Sequence, residues 1–309
     1  MKVYNNISEF GKVNNATVTI GTFDGVHLGH RKILSQLNRA AAQIDGETVL
    51  LTFYPHPRKV LQPGVNLEML NTQSEKIRQL EKAGIQHLII HPFTTEFSRT
   101  ESIDYVREIL VNQLHTKKLV IGYDHRFGKN REGSFEYSQE LARIYEFEVE
   151  EISALDIEDT NVSSTKIRKA LKNGNPEKAN TYLGYTYSIT GTVVKGKKLG
   201  RTFGFPTANI HVDYPDKLIP GNGVYAVKVR VEGTEYNGML NIGQNPTVSG
   251  GKTQKIEVHL FDFEADLYNK KITTSFIKRI RDEVKFDDSQ QLVEQLKLDQ
   301  NRAKSILSV

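Results

Sequence analysis

Two histidines three residues apart, His27 and His30, close a run over residues 21–30 that reads Gly-Thr-Phe-Asp-Gly-Val-His-Leu-Gly-His. Gly21, Gly25 and Gly29 let the backbone turn tightly and approach a ligand that a Cβ would keep away. A helix opening beyond such a turn directs unpaired N–H groups and the positive end of its dipole into the loop, which suits a phosphate. The spacing of His27 and His30 sets both imidazoles on one side of the first helical turn. Two ring N–H donors beside a bound anion can stabilise charge that builds on phosphoryl oxygens. Far downstream, residues 163–168 read Ser-Ser-Thr-Lys-Ile-Arg. Small hydroxyl residues opening a helix, with Arg168 one turn later, would set hydroxyl donors and a guanidinium on one phosphate chain. A histidine pair by itself is usually a surface or capping feature, and Ser-Ser-Thr before a helix is usually only a cap. Their joint occurrence in this order is what carries information.

The elements that must position these residues alternate in type. Strand-like runs fall at 17–21, 48–54, 87–91, 118–122 and 148–152, with helix-like segments between them at 31–43, 74–82, 102–113 and 137–145. Thr72 and Glu75 form a capping-box pattern, and Gly84 is placed to end that helix. Such alternation predicts a parallel sheet covered on both faces, and ligands on such sheets bind beyond the carboxyl ends of the strands. The period changes near Gly184, after a short helix over 175–183. Downstream, β-type runs fall at 187–194, 224–231, 236–241, 256–261 and 272–276, with turn signals at Asn222-Gly223 and Glu232-Gly233. An amphipathic helix over 289–306, with Leu292, Val293, Leu296 and Leu298 on or near one face, closes the chain. The predicted second part is therefore a small antiparallel barrel or sandwich with a helix on it, and the domains are 1–184 and 185–309.

Composition narrows the partners. A length of 309 residues, 38% apolar and 25% charged, is ample for two packed cores. The net charge of +4 is dispersed, which fits phosphate-bearing small molecules and gives little support to nucleic acid binding. No cysteine is present, so disulfides and thiolate metal sites are excluded. The polar start and short apolar runs predict a cytoplasmic protein with no membrane partner.

The 21–30 loop closely resembles the signature of the HxGH nucleotidyltransferases, in the form found in the FMN adenylyltransferase module of bacterial bifunctional riboflavin kinase/FAD synthetases. Residues 163–168 resemble that family's second motif, with Val162 where Ile is usual. The resemblance implies a Rossmann-like α/β domain that transfers adenylyl from ATP to FMN. It implies that His27 and His30 contact the triphosphate near the reacting phosphorus, and that Ser164, Thr165 and Arg168 hold the departing pyrophosphate. Gly21, Phe23, Asp24 and Gly29 would belong to the same ATP site. His56, in the proline-stiffened run Tyr54-Pro55-His56-Pro57-Arg58, and Asp124 and Phe127, in a loop similar to one bordering the family's flavin pocket, are flavin-binding candidates.

The second half carries its own set. Residues 196–209 form a basic, Gly-rich loop ending in Pro206-Thr207-Ala208-Asn209. Gly196, Lys198 and Gly200 suit a polyphosphate. Thr207 and Asn209 are hard oxygen ligands on one side of an extended segment and suit Mg²⁺. This stretch closely resembles the riboflavin kinase module, a six-stranded β-barrel, as do residues 223–226, 241–247 and 256–259. The resemblance makes Glu257 the base for attack of the ribityl hydroxyl on ATP, and makes residues 281–287 with the closing helix a flap and lid over the flavin. The implied chain makes FMN from riboflavin and ATP, then FAD from FMN and a second ATP. Two rival readings are a class I aminoacyl-tRNA synthetase, disfavoured by the barrel, and a flavin-sensing binding protein that has lost turnover.

Overall fold

The computed structural model describes residues 1–123, 126–152, 162–196, 199–246, 252–286 and 288–308. The chain forms two compact units, Met1–Ser163 and Ser164–Val309.

In the first unit, β1 (Lys2–Tyr4), β2 (Thr17–Ile20), β3 (Thr48–Tyr54), β4 (His87–Pro92), β5 (Lys118–Gly122) and β6 (Glu148–Ile152) make one sheet in the order β1-β4-β3-β2-β5-β6. Every pairing in it is parallel. The run Val49-Leu50-Leu51 shows why both faces are covered. Val49 and Leu51 join one core with Val18, Leu110 and Leu119, while Leu50 joins the other with Leu34, Leu37 and Leu88. Side chains alternate across a strand, so a continuous apolar run needs a core on each side. The short edge strand β1 is absent from the sequence reading; three residues without alternation give no periodic signal.

β2 lies between β3 and β5, so the chain departs in opposite directions along the sheet from this point. The loop after β2 thus occupies the switch position where α/β sheets bind ligands. Helix α1 (Leu28–Gln43) follows it directly, starting three residues before the expected Arg31. The reason is a cap: Nδ1 of His27 accepts the amide of His30, and the His27 carbonyl accepts Arg31 N–H at 2.9 Å. Helix α2 (Pro57–Leu61) is a single short turn, whereas α3 (Gln73–Lys82) has the expected capping box of Thr72 and Glu75 and ends at Gly84, whose φ is +84°. The expected 102–113 helix is present but widens into π-type winding over Tyr105–Gln113.

In the second unit, α7 (Ser164–Lys172) and α8 (Pro176–Leu183) precede a closed six-stranded barrel. (The first unit also has helices α4 at Thr95–Ser98, α5 at Ser102–Asp104 and α6 at Phe135–Tyr145.) Both helices are bonded to the barrel's own chain: Asn180 Nδ2 donates to the Phe276 carbonyl at 2.9 Å, and Gly221 N–H donates to the Leu171 carbonyl at 2.9 Å. The barrel strands are β7 (Ser188–Val194), β8 (Ala208–His211), β9 (Gly223–Val231), β10 (Thr234–Pro246), β11 (Lys252–Leu260) and β12 (Lys271–Arg281). They close in the order β10-β11-β8-β7-β12-β9, with every pairing antiparallel. The β9–β10 hairpin turns at Glu232 (φ +48°) and Gly233 (φ +90°), as the turn signal predicts. Strand β8, hidden in the sequence behind its ligand-like residues, is the sixth member that closes the barrel, and the short helix α9 (Leu199–Thr202) precedes it.

The closing helix, α10 (Ser289–Leu307), differs from expectation in one position. Leu298 is 54% exposed, and the buried residues are Asp299, Ala303 and Leu307, with Leu296 packed beside them. Positions 296, 299, 303 and 307 follow the helical repeat, and 298 falls about 200° from 296. A buried aspartate breaks the apolar pattern there, and its partner lies on β12.

Candidate active sites

The loop over residues 21–30 is held in a conformation that few side chains accept. Phe23, Gly25 and Val26 have φ of +46°, +89° and +35°. Positive φ at a fully buried, β-branched valine is a local strain that surrounding contacts must impose. The contacts are visible. The Asp24 carboxylate accepts Leu70 N–H at 3.0 Å and Asn71 N–H at 3.3 Å. A Cβ on Gly21 would press into the Phe23 ring, and that ring packs on His30 with centroids 5.0 Å apart. Asp24, Phe23 and Gly29 are all buried. Asp24 and Phe23 thus shape the loop from inside.

His27 and His30 stack, with ring centroids 3.7 Å apart and planes 14° from parallel. Because Nδ1 of His27 accepts a backbone N–H at 3.3 Å, its neutral ring carries the proton on Nε2. Nδ1 of His30 is shut off from solvent and has no hydrogen-bond partner among the described residues. Burial first, then the neighbouring charges of His27 and Lys76, hold the His30 pKa well below its ordinary value. A neutral His30 can still donate one hydrogen bond. Lys76 is a member of this group that the sequence reading missed. It sits one turn before Leu80 on the buried side of α3, a charge on an apolar stripe.

The flavin candidates fall differently. His56 caps α2, its Nδ1 accepting Arg58 N–H at 3.1 Å just beyond β3. Phe127 is buried, bridged to Gly133 and packed on Tyr105 with centroids 5.3 Å apart. Asp124 lies outside the described residues. At the carboxyl ends of β3 and β4, Phe53, Phe93 and Phe97 form a cluster with centroids 5.4 to 5.7 Å apart, and Phe97 reaches Tyr105 at 6.0 Å. Isolated phenylalanines in sequence carry no sign that they meet.

In the second unit α7 begins at Ser164, so Ser164 and Arg168 share a face one turn apart, with Thr165 exposed beside them. On the barrel, Glu257 pairs across the sheet with Asn209 on β8 and with Asn241 on β10. Cross-strand partners face the same side, so the three polar side chains form a row. The flanking Ile256 and Val258 are buried in the opposite direction. Thr207 Oγ1 lies 3.5 Å from Glu257 Oε1, and Lys255 pairs with that same oxygen at 2.7 Å. A Cβ at Gly196 would collide with the Asn209 amide, and one at Gly200 with the Phe205 carbonyl. The Phe205 to Thr207 turn is held from below, since His259 Nδ1 donates to the Pro206 carbonyl at 2.8 Å. Burial keeps the His259 pKa low despite that carbonyl. Lys198 lies outside the described residues. Beyond β12, the Glu283 carboxylate sits against Gly243 and accepts from Asn222 Nδ2 at 3.4 Å, which brings the expected flap to the same strand as Asn241.

A strained loop with a stacked histidine pair at the switch point of a parallel sheet, and a barrel with a Thr–Asn–Glu constellation beside a glycine-rich turn, are the features of a two-unit nucleotide-dependent transferase. The family model for FAD synthetase matches residues 11–166, and that for riboflavin kinase matches residues 183–307. The chain is 38% identical to the bifunctional riboflavin kinase/FMN adenylyltransferase of Haemophilus influenzae, over 96% of each chain. It is 37% identical to that of Listeria monocytogenes, over 95% of this chain and 93% of the relative, and 34% identical to that of Escherichia coli K12, over 94% and 93%. A crystal structure from Streptococcus pneumoniae described as a macrolide-efflux protein superposes with a TM-score of 0.89 at 31% identity over 98% of each chain. Among the described residues here, no helix is long and apolar enough to cross a membrane. The chain belongs to the bifunctional riboflavin kinase/FMN adenylyltransferase family, with both enzymatic parts present.

Proposed function

We propose that the chemistry is divided between the two sites described above: riboflavin becomes FMN on the barrel, and FMN becomes FAD at the loop that starts α1. The functional division is 1–184 and 185–309. The observation that carries the adenylyl-transfer reading is the stacked histidine pair at the start of α1, on a strained loop at the sheet's switch point. There an FMN phosphate oxygen attacks the α-phosphorus of ATP, and pyrophosphate leaves. His27 donates from Nε2 and His30 as a neutral imidazole to the oxygens that gain charge, while the α1 N-terminus and the close backbone at Gly21 and Gly29 hold the triphosphate. Ser164, Thr165 and Arg168 bind the pyrophosphate. His56, Asp124, Phe127 and the Phe53–Phe93–Phe97 cluster serve the flavin, whose flat ring suits aromatic neighbours.

On the barrel, Glu257 accepts the proton of the ribityl hydroxyl as its oxygen attacks the γ-phosphorus and ADP leaves. Lys255 holds the carboxylate beforehand and must release it when substrate arrives. Gly196, Lys198 and Gly200 receive the phosphates. The donors fit Mg²⁺: a hydroxyl (Thr207) and an amide carbonyl (Asn209) are both oxygen ligands, set beside the Glu257 carboxylate. Thr207 and Asn209 would hold the ion, which when bound supplies charge neutralisation on the transferred phosphoryl group. The same chemistry has no need of nucleic acid, and its ATP supply is cytoplasmic.

Isotope placement in the wild type tests the two transfers, and the same labels in Glu257→Ala and His30→Ala test their division between the sites. With riboflavin, γ-labelled ATP should put label in both FMN and FAD, and α-labelled ATP should label FAD only. Label from the α-position in FMN would overturn this reading.

A further inference from the structure

Lys76 takes no part in the chemistry above, yet its side chain is almost entirely buried behind the histidine loop, with 6% of the residue exposed. Its Nζ donates to the Thr22 carbonyl at 3.2 Å and to the Thr52 hydroxyl at 3.3 Å. That hydroxyl in turn donates to the Thr22 carbonyl at 3.3 Å, so α3, β3 and the first residues of the loop are tied at one oxygen. Asp24, the nearest counter-charge, is itself held by the Leu70 and Asn71 amides. Burying an ammonium opposes folding, and an apolar residue of similar volume on the α3 stripe would avoid that cost. The structure keeps a cation there even though burial lowers the Lys76 pKa to about 8 against the pull of Asp24.

We propose that Lys76 is a positioning residue for adenylyl transfer: it fixes the Thr22 carbonyl, and with it the strained loop, and supplies a buried positive charge behind the face that receives the triphosphate. The proposal rests on the reading of residues 21–30 as the adenylyl-transfer site. The same charge bears on His30, since Lys76 is one of the groups that disfavour its protonation. Among the described residues, the charged and titratable groups that act on this point include Asp24 from the loop, His27 and His30 from the start of α1, and Lys76 itself from α3. Glu75, next to Lys76, is engaged elsewhere through the Thr72 N–H at 2.9 Å, and Thr52 from β3 is uncharged.

The test uses the full chain as wild type, Lys76→Met and Lys76→Gln, measuring kcat and KM for FAD formation from FMN and ATP across pH, with riboflavin phosphorylation and thermal unfolding alongside. Lys76→Met should lower kcat at least tenfold with a smaller change in the KM for ATP. The acid limb of its pH profile should move to higher pH, because removing a neighbouring positive charge makes His30 easier to protonate. Lys76→Gln, which keeps a donor without the charge, should show the same limb shift with a smaller loss of kcat. Riboflavin phosphorylation should stay at the wild-type rate in both. An unmoved acid limb in Lys76→Gln, or a wild-type kcat in Lys76→Met with only a lowered melting temperature, would overturn the proposal. Lys76→Gln decides if Lys76→Met does not fold. A wild type that makes no FAD from FMN would instead sink the reading of the loop.

Discussion

Asp299 offers the sharpest test of how the barrel's closing helix is held. It is wholly buried on α10, and its carboxylate accepts Arg281 Nε at 3.0 Å, Arg281 Nη2 at 2.7 Å and Gln295 Nε2 at 2.8 Å. Arg281 ends β12, its side chain is only 16% exposed, and its guanidinium lies 5.7 Å from the Phe286 ring centroid in the expected flap. Asp299→Ala would leave that guanidinium buried without its charge partner, a change that costs about 3–5 kcal/mol. For a unit of this size each kcal/mol moves the midpoint by roughly 2–4 °C, so a fall of about 6–20 °C is expected. The assay is thermal inactivation of riboflavin phosphorylation. The double variant Arg281→Met/Asp299→Leu should recover most of the loss, since an apolar pair needs no desolvation of charge. A single variant within about 2 °C of wild type would refute the argument, because a shift that small corresponds to 1 kcal/mol or less.

Two further outcomes follow from the site geometry. Because burial holds His30 below its ordinary value near 6.5, FAD formation from FMN should not lose activity through His30 protonation until the pH is well under 6.5; a limb at the ordinary value in a pH–rate profile would contradict that burial effect. Gly196→Ala should cut riboflavin phosphorylation at least tenfold while FMN to FAD conversion is unchanged, because the added Cβ must displace the Asn209 amide; steady-state rates of the two half-reactions check it.

The sequence made some of this legible and hid the rest for physical reasons. Strands β3 and β5 were readable to the residue because their apolar runs are bounded by turns, and the Thr72 capping box announced α3. The His27–His30 spacing foretold a shared face, and the rings do stack. What was hidden depends on contacts distant in the chain. Lys76 bonds to Thr22 and Thr52, Glu257 is flanked by Asn209 and Asn241 only once the barrel closes, and Phe53, Phe93 and Phe97 meet where two strands end. Leu298 was misplaced because a buried aspartate, satisfied from another element, interrupts the apolar repeat of α10. Local periodicity reports burial of apolar groups well and reports satisfied buried charge poorly.

The central claim is that one chain carries two separable reactions, and complementation between two inactive variants tests it most directly. His30→Ala should convert riboflavin to FMN and stop, its FAD formation reduced about a hundredfold or more by loss of a donor at the developing charge. Glu257→Ala should fail on riboflavin and still convert added FMN to FAD. Incubated together with riboflavin, ATP and Mg²⁺, the two should produce FAD that neither makes alone. FAD from riboflavin by either variant at near the wild-type rate would contradict the account, as would a mixture that yields none while each half-reaction remains intact.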